Sequence, residues 1–354
     1  MDEPSREIKK PSLLDAIIPV ISLISMLAGT VYLFGLDSFG PNQVALILAA
    51  AIAAVIGIKN GHTWREIEKG MIETISMSLQ AILILLMVGA LIGAWILSGT
   101  VPSMIYYGVQ LMSPDYFYLT ACLVCALLGF SIGSSWTVAG TLGIGLMGIA
   151  AALDLSLPMS AGAIISGAYF GDKLSPLSET TNLAAAVTSN DLFDHIQHML
   201  WTTVPAILIT LLIFFVLGLG NNSGVVIEDI INLQNAMDQA FHISPLMLIP
   251  LFVLLTLAIK KQPALSTLIS GTVLGCIFAA IFQWDAAVAL ASDPNLHPLA
   301  AIFKGLFSAM FLGYTSVSGN ESLDSLLSKG GMSSMLTTIG LVVNAMAFGG
   351  AMAR

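Results

Sequence analysis

Twelve consecutive residues, Gly171-Asp172-Lys173-Leu174-Ser175-Pro176-Leu177-Ser178-Glu179-Thr180-Thr181-Asn182, carry two acids, a lysine, four hydroxyls, an amide and a proline. Apolar runs at 155–170 and 199–219 flank them. Pro176 lacks a backbone donor and breaks a helix, and Ser175 before it is pushed out of helical geometry. The carbonyls freed by the break, with Ser175, Ser178, Thr180, Thr181 and Asn182, are hard oxygen ligands for a cation. Asp172 and Glu179 supply negative charge that either a cation or a proton can neutralise, and Lys173 tempers it. Ionisable residues at membrane depth mark ion or substrate pathways, and irregular backbone there must line protein or a water-filled cavity. The segment is therefore expected to be a transport site, with Asp172 carrying the exchanged ion.

A second polar stretch lies upstream. Gly129-Phe130-Ser131-Ile132-Gly133 has the letters of a nucleophile elbow. A serine nucleophile needs a base within reach, and His62, His195, His198, His242 and His297 all fall in links or at helix ends. The better reading is a break at a hairpin tip, where Ser134, Ser135 and Thr137 offer hydroxyls to a small ion. Gly143-x-Gly145-x-x-Gly148 lacks the strand that a dinucleotide fingerprint requires, so its glycines are read as helix-packing contacts. Asp191, Asp194, His195 and His198 share one helical face, which suits a solvated entry to the next span better than a metal site. Asn320, Glu321 and Asp324 either line a second break or cap the following helix.

The elements that must position these groups follow from composition. The chain of 354 residues is 56% hydrophobic and 9% charged, too apolar for a surface in water. The fold class expected is an all-α polytopic integral membrane protein of about 9–11 transmembrane segments, with a re-entrant hairpin and a broken helix. Candidate runs lie at 12–34, 43–58, 74–97, 116–133, 135–153, 156–186, 199–219, 243–259, 264–284, 300–318 and 335–353. Residues 62–73 suit a short interfacial helix. Bases at Lys9, Lys10, Lys59, Arg65, Lys69, Lys260, Lys261 and Lys329 alternate with links bearing acids, which puts the N-terminus in the cytoplasm of a cell-membrane protein. Cys122, Cys125 and Cys276 sit in apolar runs and read as packing residues. No basic stripe suggests nucleic acid.

The run from Gly167 to Ala184 closely resembles the signature of NhaC-type sodium/proton antiporters. Residues 134–141, 191–203 and 323–332 resemble that family in the same order. The resemblance implies the ion-transporter superfamily fold, with inverted repeats that each hold a hairpin and a broken helix. It implies a first half over 1–219, an external connector over 220–242 and a second half over 243–354. Family members commonly carry aspartate at the position of Glu179. The family's second polar break is expected beyond Arg354, so the inverted second repeat is expected to be truncated and the sequence incomplete at its C-terminal end. The activity implied is sodium/proton exchange by alternating access, with exchange of an organic acid such as malate for lactate as the alternative. A channel or a membrane hydrolase fits less well. Sodium and protons are the expected substrates, lipid surrounds the protein, and a homodimer is the oligomeric option. No cofactor or resident metal is expected.

Overall fold

The structure, a computed structural model, describes residues 9–176, 178, 180–181, 184–185, 190–219, 227–260, 262–293, 295–318, 323–324 and 327–353. The described chain is almost wholly helical, and it is an all-α polytopic membrane protein. Six of its helices are long and apolar enough to cross a membrane, or up to eight if each of two bent pairs is one span. It divides into two compact units, 1–86 with 334–354, and 87–333.

In the first unit, α1 (Leu13–Phe34) starts with a capping box: Ser12 Oγ accepts from the Asp15 amide and Asp15 accepts from the Ser12 amide. The Asp15 carboxylate also meets Lys59 Nζ at 2.9 Å, which ties the start of α1 to the end of α2 (Phe39–Lys59). The run at 43–58, short for a span, proves to be part of these 21 residues. Ala53 and Ala54 of α2 pack with Ile67 of α3 (Trp64–Met77) and Ala351 of the last helix. One face of α3 is buried through Ile67 and Gly70, while Trp64, Ile72, Arg65 and Lys69 stay exposed. That division suits the interfacial helix expected there.

The boundary between the units falls within α4 (Leu79–Leu97). In the second unit, Trp95 of α4 is wholly buried and its Nε1 donates to the Gly271 carbonyl at 3.0 Å, on α13 (Ala264–Phe282). Trp95→Phe is expected to remove that bond, leaving the carbonyl its helical partner, and to cost about 0.5–1.5 kcal/mol, read as a lower melting temperature of the detergent-solubilised protein. Gly99, at φ +79°, turns the chain from α4 into α5 (Thr100–Leu111). A Cβ at Gly99 would stand 2.6 Å from Gln283 Nε2. The Gln283 amide sits there because it pairs with both backbone groups of His242, donating to its carbonyl at 3.1 Å and accepting from its N–H at 3.2 Å.

Sequence reasoning missed α5, and it read 220–242 as a polar connector. From Ile227 to Ala240 that connector is α11, whose Leu233 and Met237 are buried together with the following Phe241. The Gln234 side chain donates to the Tyr106 carbonyl at 3.1 Å and Tyr106 Oη donates to Asp238 at 3.3 Å, so the helix is docked on α5. The short apolar α12 (Ile249–Ile259) and the span α13 lead to α14 (Trp284–Leu290) and α15 (Pro298–Leu312). Gly313, at φ +99°, ends α15 earlier than the apolar run suggested, and opens the two-residue strand β1 (Gly313–Tyr314). It pairs antiparallel with β2 (Lys329–Gly330) before α16 (Met332–Met352). Between the strands, one oxygen of Asp324 accepts from Ser316 Oγ at 2.7 Å, from the Ser318 amide at 2.7 Å and from Ser318 Oγ at 2.8 Å. Asp324 thus ties itself back to the Ser316–Ser318 stretch. Asn320 and Glu321 lie outside the described residues.

Candidate functional site

Five helices build the site: α6 (Phe117–Ile132), α7 (Ser135–Gly140), α8 (Leu142–Ala152), α9 (Leu157–Leu174) and α10 (Leu192–Gly218). Gly133, at φ +73°, ends α6, and Ser134 caps α7 by accepting from the Thr137 amide at 3.3 Å. Helices α6 and α8 thereby form a hairpin whose tip is the short α7. The three glycines that resembled a dinucleotide fingerprint all sit in α8 and are packing contacts: Gly143 against Ile164, Gly145 against Met104 and Gly148 against Ile105.

Gly140 is packed against Val88, the middle residue of α4. A helix of this length and apolarity is long enough to span the hydrocarbon, and the tip packs beside its middle.

Helix α9 lies against α6 at backbone contact. A Cβ at Gly167 would stand 2.1 Å from the Cys122 carbonyl oxygen, and one at Gly171 would stand 2.2 Å from that of Ala126. From the other side, a Cβ at Gly129 would be 2.7 Å from the Ala168 oxygen and 3.2 Å from the Asp172 amide nitrogen. Gly167 and Gly171 form a small-xxx-small pair, which lets two membrane helices approach at the distance of their backbones. Those glycines hold Asp172 beside the hairpin. Sequence reasoning quoted Gly167 only within a resemblance and Gly171 only as the first residue of the polar segment, and read Gly129 only as a break. The four-residue spacing was the signal for them.

Asp172 is 8% exposed, and Ser135 Oγ donates to its Oδ2 at 2.8 Å. Asp172 Oδ1 receives no hydrogen bond among the described residues. After Leu174 the helix is broken, as Pro176 demands. Asp172's carbonyl would bond the amide of residue 176, which proline lacks, and accepts instead from the Ser175 amide at 3.1 Å. The Lys173 carbonyl accepts from Thr181 Oγ1 at 3.1 Å. Ser178 and Thr180 share a hydroxyl–hydroxyl hydrogen bond of 2.9 Å, and the Thr181 amide donates to Ser178 Oγ at 3.3 Å. Two of the carbonyls expected to be free for a cation are thus already held by the break itself.

The expected site residues divide accordingly. Asp172 and Ser135 meet. Ser175, Ser178 and Thr181 are buried in the break, while Lys173 and Thr180 are exposed. Ser134 and Thr137 bond each other, with Thr137 Oγ1 donating to Ser134 Oγ at 3.0 Å, and they shape the tip instead of touching the acid. Glu179 and Asn182 lie outside the described residues, as does the Ser131 side chain. Asp191 caps α10, accepting from the amides of Phe193 and Asp194 at 2.8 and 3.2 Å. Among the described residues no group of three His, Cys, Asp or Glu side chains could hold a metal ion. Asp194, His195 and His198 lie in the first turns of the 27-residue α10, which is about 40 Å long and so reaches past the hydrocarbon.

The sequence profile of the Na+/H+ antiporter family matches residues 167–354, from Gly167 of α9 onward. The chain belongs to that family, among its NhaC-type members. It is 36% identical to the Na+/H+ antiporter NhaC of Alkalihalophilus pseudofirmus over 88% of this chain and 64% of that one. It is 35% identical to the malate-2H+/Na+-lactate antiporter of Bacillus subtilis over 98% of this chain and 70% of the relative. It is 34% identical to the arginine/ornithine antiporter ArcD of Halobacterium salinarum over 97% of this chain and 67% of the relative. The chain therefore spans about two thirds of the length of these relatives. No solved structure matches it.

Proposed function

We propose that this chain forms part of a secondary transporter that exchanges sodium ions for protons across the cytoplasmic membrane by alternating access, with Asp172 carrying the exchanged ion. One observation carries the reading. A buried carboxylate stands at the end of a broken helix, opposite a hairpin tip, with one oxygen held by Ser135. Such a group neutralises either a sodium ion or a proton but not both at once, and that competition is the chemistry of antiport. The buried hydroxyls of Ser175, Ser178 and Thr181 place hard oxygen atoms in the same break. In this reading residues 1–219 and 243–354 supply the two halves, joined by the 220–242 segment, and the N-terminus is cytoplasmic. Sodium and protons are the substrates.

Inside-out vesicles holding the full-length protein test it. Added sodium is expected to collapse a respiration-driven ΔpH with no organic acid present. Collapse only when malate or lactate is supplied would overturn sodium/proton exchange in favour of organic-acid antiport. Lys173 favours that second reading: it is an exposed cation beside the buried acid, able to face a substrate carboxylate. Identity does not choose between the two, because relatives whose names differ in substrate match this chain at 34–36%.

A further inference from the structure

The hairpin tip presents three hydroxyls within four residues, Ser134, Ser135 and Thr137, and they are not equivalent. Ser134 and Thr137 are engaged with each other and with the start of α7. Thr141, past the end of α7, donates its hydroxyl to the Thr137 carbonyl at 2.6 Å and closes the tip on itself. Ser135 alone of these reaches another element: its hydroxyl, on a residue 4% exposed, donates to Asp172 Oδ2 across a sequence separation of 37 residues. A carboxylate on a single Cβ turns about its last torsion with little preference. A donor fixed on one oxygen removes that freedom and leaves the other oxygen to whatever binds beside it.

We infer that Ser135 is a positioning residue for the transported cation. Its donated hydrogen bond fixes the rotation of the Asp172 carboxylate and leaves Oδ1 to the ion. This inference rests on the antiport reading above, and it separates Ser135 from Ser134 and Thr137, which maintain the tip. The tip itself is placed by α4, through Gly140 on Val88, and it also contacts α9 and α13. Ser135 therefore converts the placement of a separate hairpin into the orientation of one carboxylate on α9. An ion meeting a freely turning carboxylate must order it on binding, so the loss of Ser135 weakens sodium capture and leaves the acid itself in place.

The test is sodium titration of ΔpH collapse in vesicles carrying full-length variants. Ser135→Ala is expected to raise the half-saturating sodium concentration about tenfold or more, as befits a hydrogen bond to a charged group. The maximal rate should stay within about threefold of the parent. Ser135→Thr, which keeps the hydroxyl, is expected to restore half-saturation to within about threefold. An unchanged half-saturation in Ser135→Ala, or a lost maximal rate at unchanged half-saturation, would overturn the inference. If Ser135→Ala fails to accumulate in membranes, Ser135→Cys, a weaker donor of similar size, carries the same expectation. If the parent itself moves no protons in response to sodium, the antiport reading falls, and positioning is read from melting temperatures instead. Ser135→Ala, Asp172→Asn and the double variant should then show non-additive losses, and additive losses would overturn the Ser135–Asp172 link on its own.

Discussion

Asp172→Asn is expected to reduce sodium-driven proton movement at least about 100-fold while the protein still inserts and folds. The substitution is nearly isosteric, and the amide oxygen can still accept the Ser135 hydroxyl that now reaches Oδ2 at 2.8 Å. What disappears is the negative charge. A sodium ion entering this buried position would have no charge to neutralise it, and an uncompensated buried ion costs several kcal/mol. Each 1.4 kcal/mol is a factor of about ten, so two such steps already give the expected loss. ΔpH collapse in inside-out vesicles measures the rate, and the melting temperature in detergent reports folding. Wild-type exchange by Asp172→Asn would exclude Asp172 as the carrier of the coupling ion. Asp172→Glu tests reach in place of charge. Its extra methylene moves the carboxylate from the position that Ser135 Oγ meets at 2.8 Å, so charge alone is not expected to restore the parent rate.

The second large effect is expected from a single methyl group. In Gly171→Ala the new Cβ would lie 2.2 Å from the Ala126 carbonyl oxygen and 2.4 Å from the Phe130 amide nitrogen. Both are backbone atoms and cannot swing aside, so α6 and α9 must separate. Overpacking of this kind costs about 1–3 kcal/mol, and here it moves the residue next to Asp172. A lower melting temperature together with loss of exchange is expected. The same helix supplies the control. A Cβ at Gly162 meets only Phe214 Cζ, at 3.9 Å, an ordinary contact. Gly162→Ala is therefore expected to be neutral, or to stabilise by up to about 1 kcal/mol, because alanine is the better helix former. Equal behaviour of the two variants would mean that α6 and α9 are not held at this distance in the membrane.

The break at 171–182 was legible in the sequence because polarity is costly between apolar runs, and Pro176 stated where the helix must end. The glycines of α8 were legible as packing residues for want of any strand before them. The α5 helix was not, since Thr100, Pro102, Ser103 and Gln110 dilute a segment too short to read as a span, and burial of its polar side chains against neighbours is a tertiary fact. For α11 the apolar stripe of Leu233, Met237 and Phe241 was present at helical spacing, but acids and amides around it made a connector the natural reading. Within the site, composition named the hydroxyls without ranking them. Ser134, Ser135 and Thr137 are chemically alike, and only the register between α7 and α9 decides which of them meets Asp172. The freed carbonyls were overcounted for a similar reason, because Thr181 lies eight residues past Lys173 and no local pattern says that it returns there.

That return has a kinetic consequence. With the Lys173 carbonyl bonded to Thr181 and the Asp172 carbonyl bonded to the Ser175 amide, the protein itself holds two backbone acceptors of the break. An arriving ion then has little backbone to organise and loses little conformational entropy on that account. Its residence is governed by the exchange of hydration water for a few oxygen atoms, a local event that reverses as readily as it occurs. Such a site suits brief occupancy and repeated release better than retention.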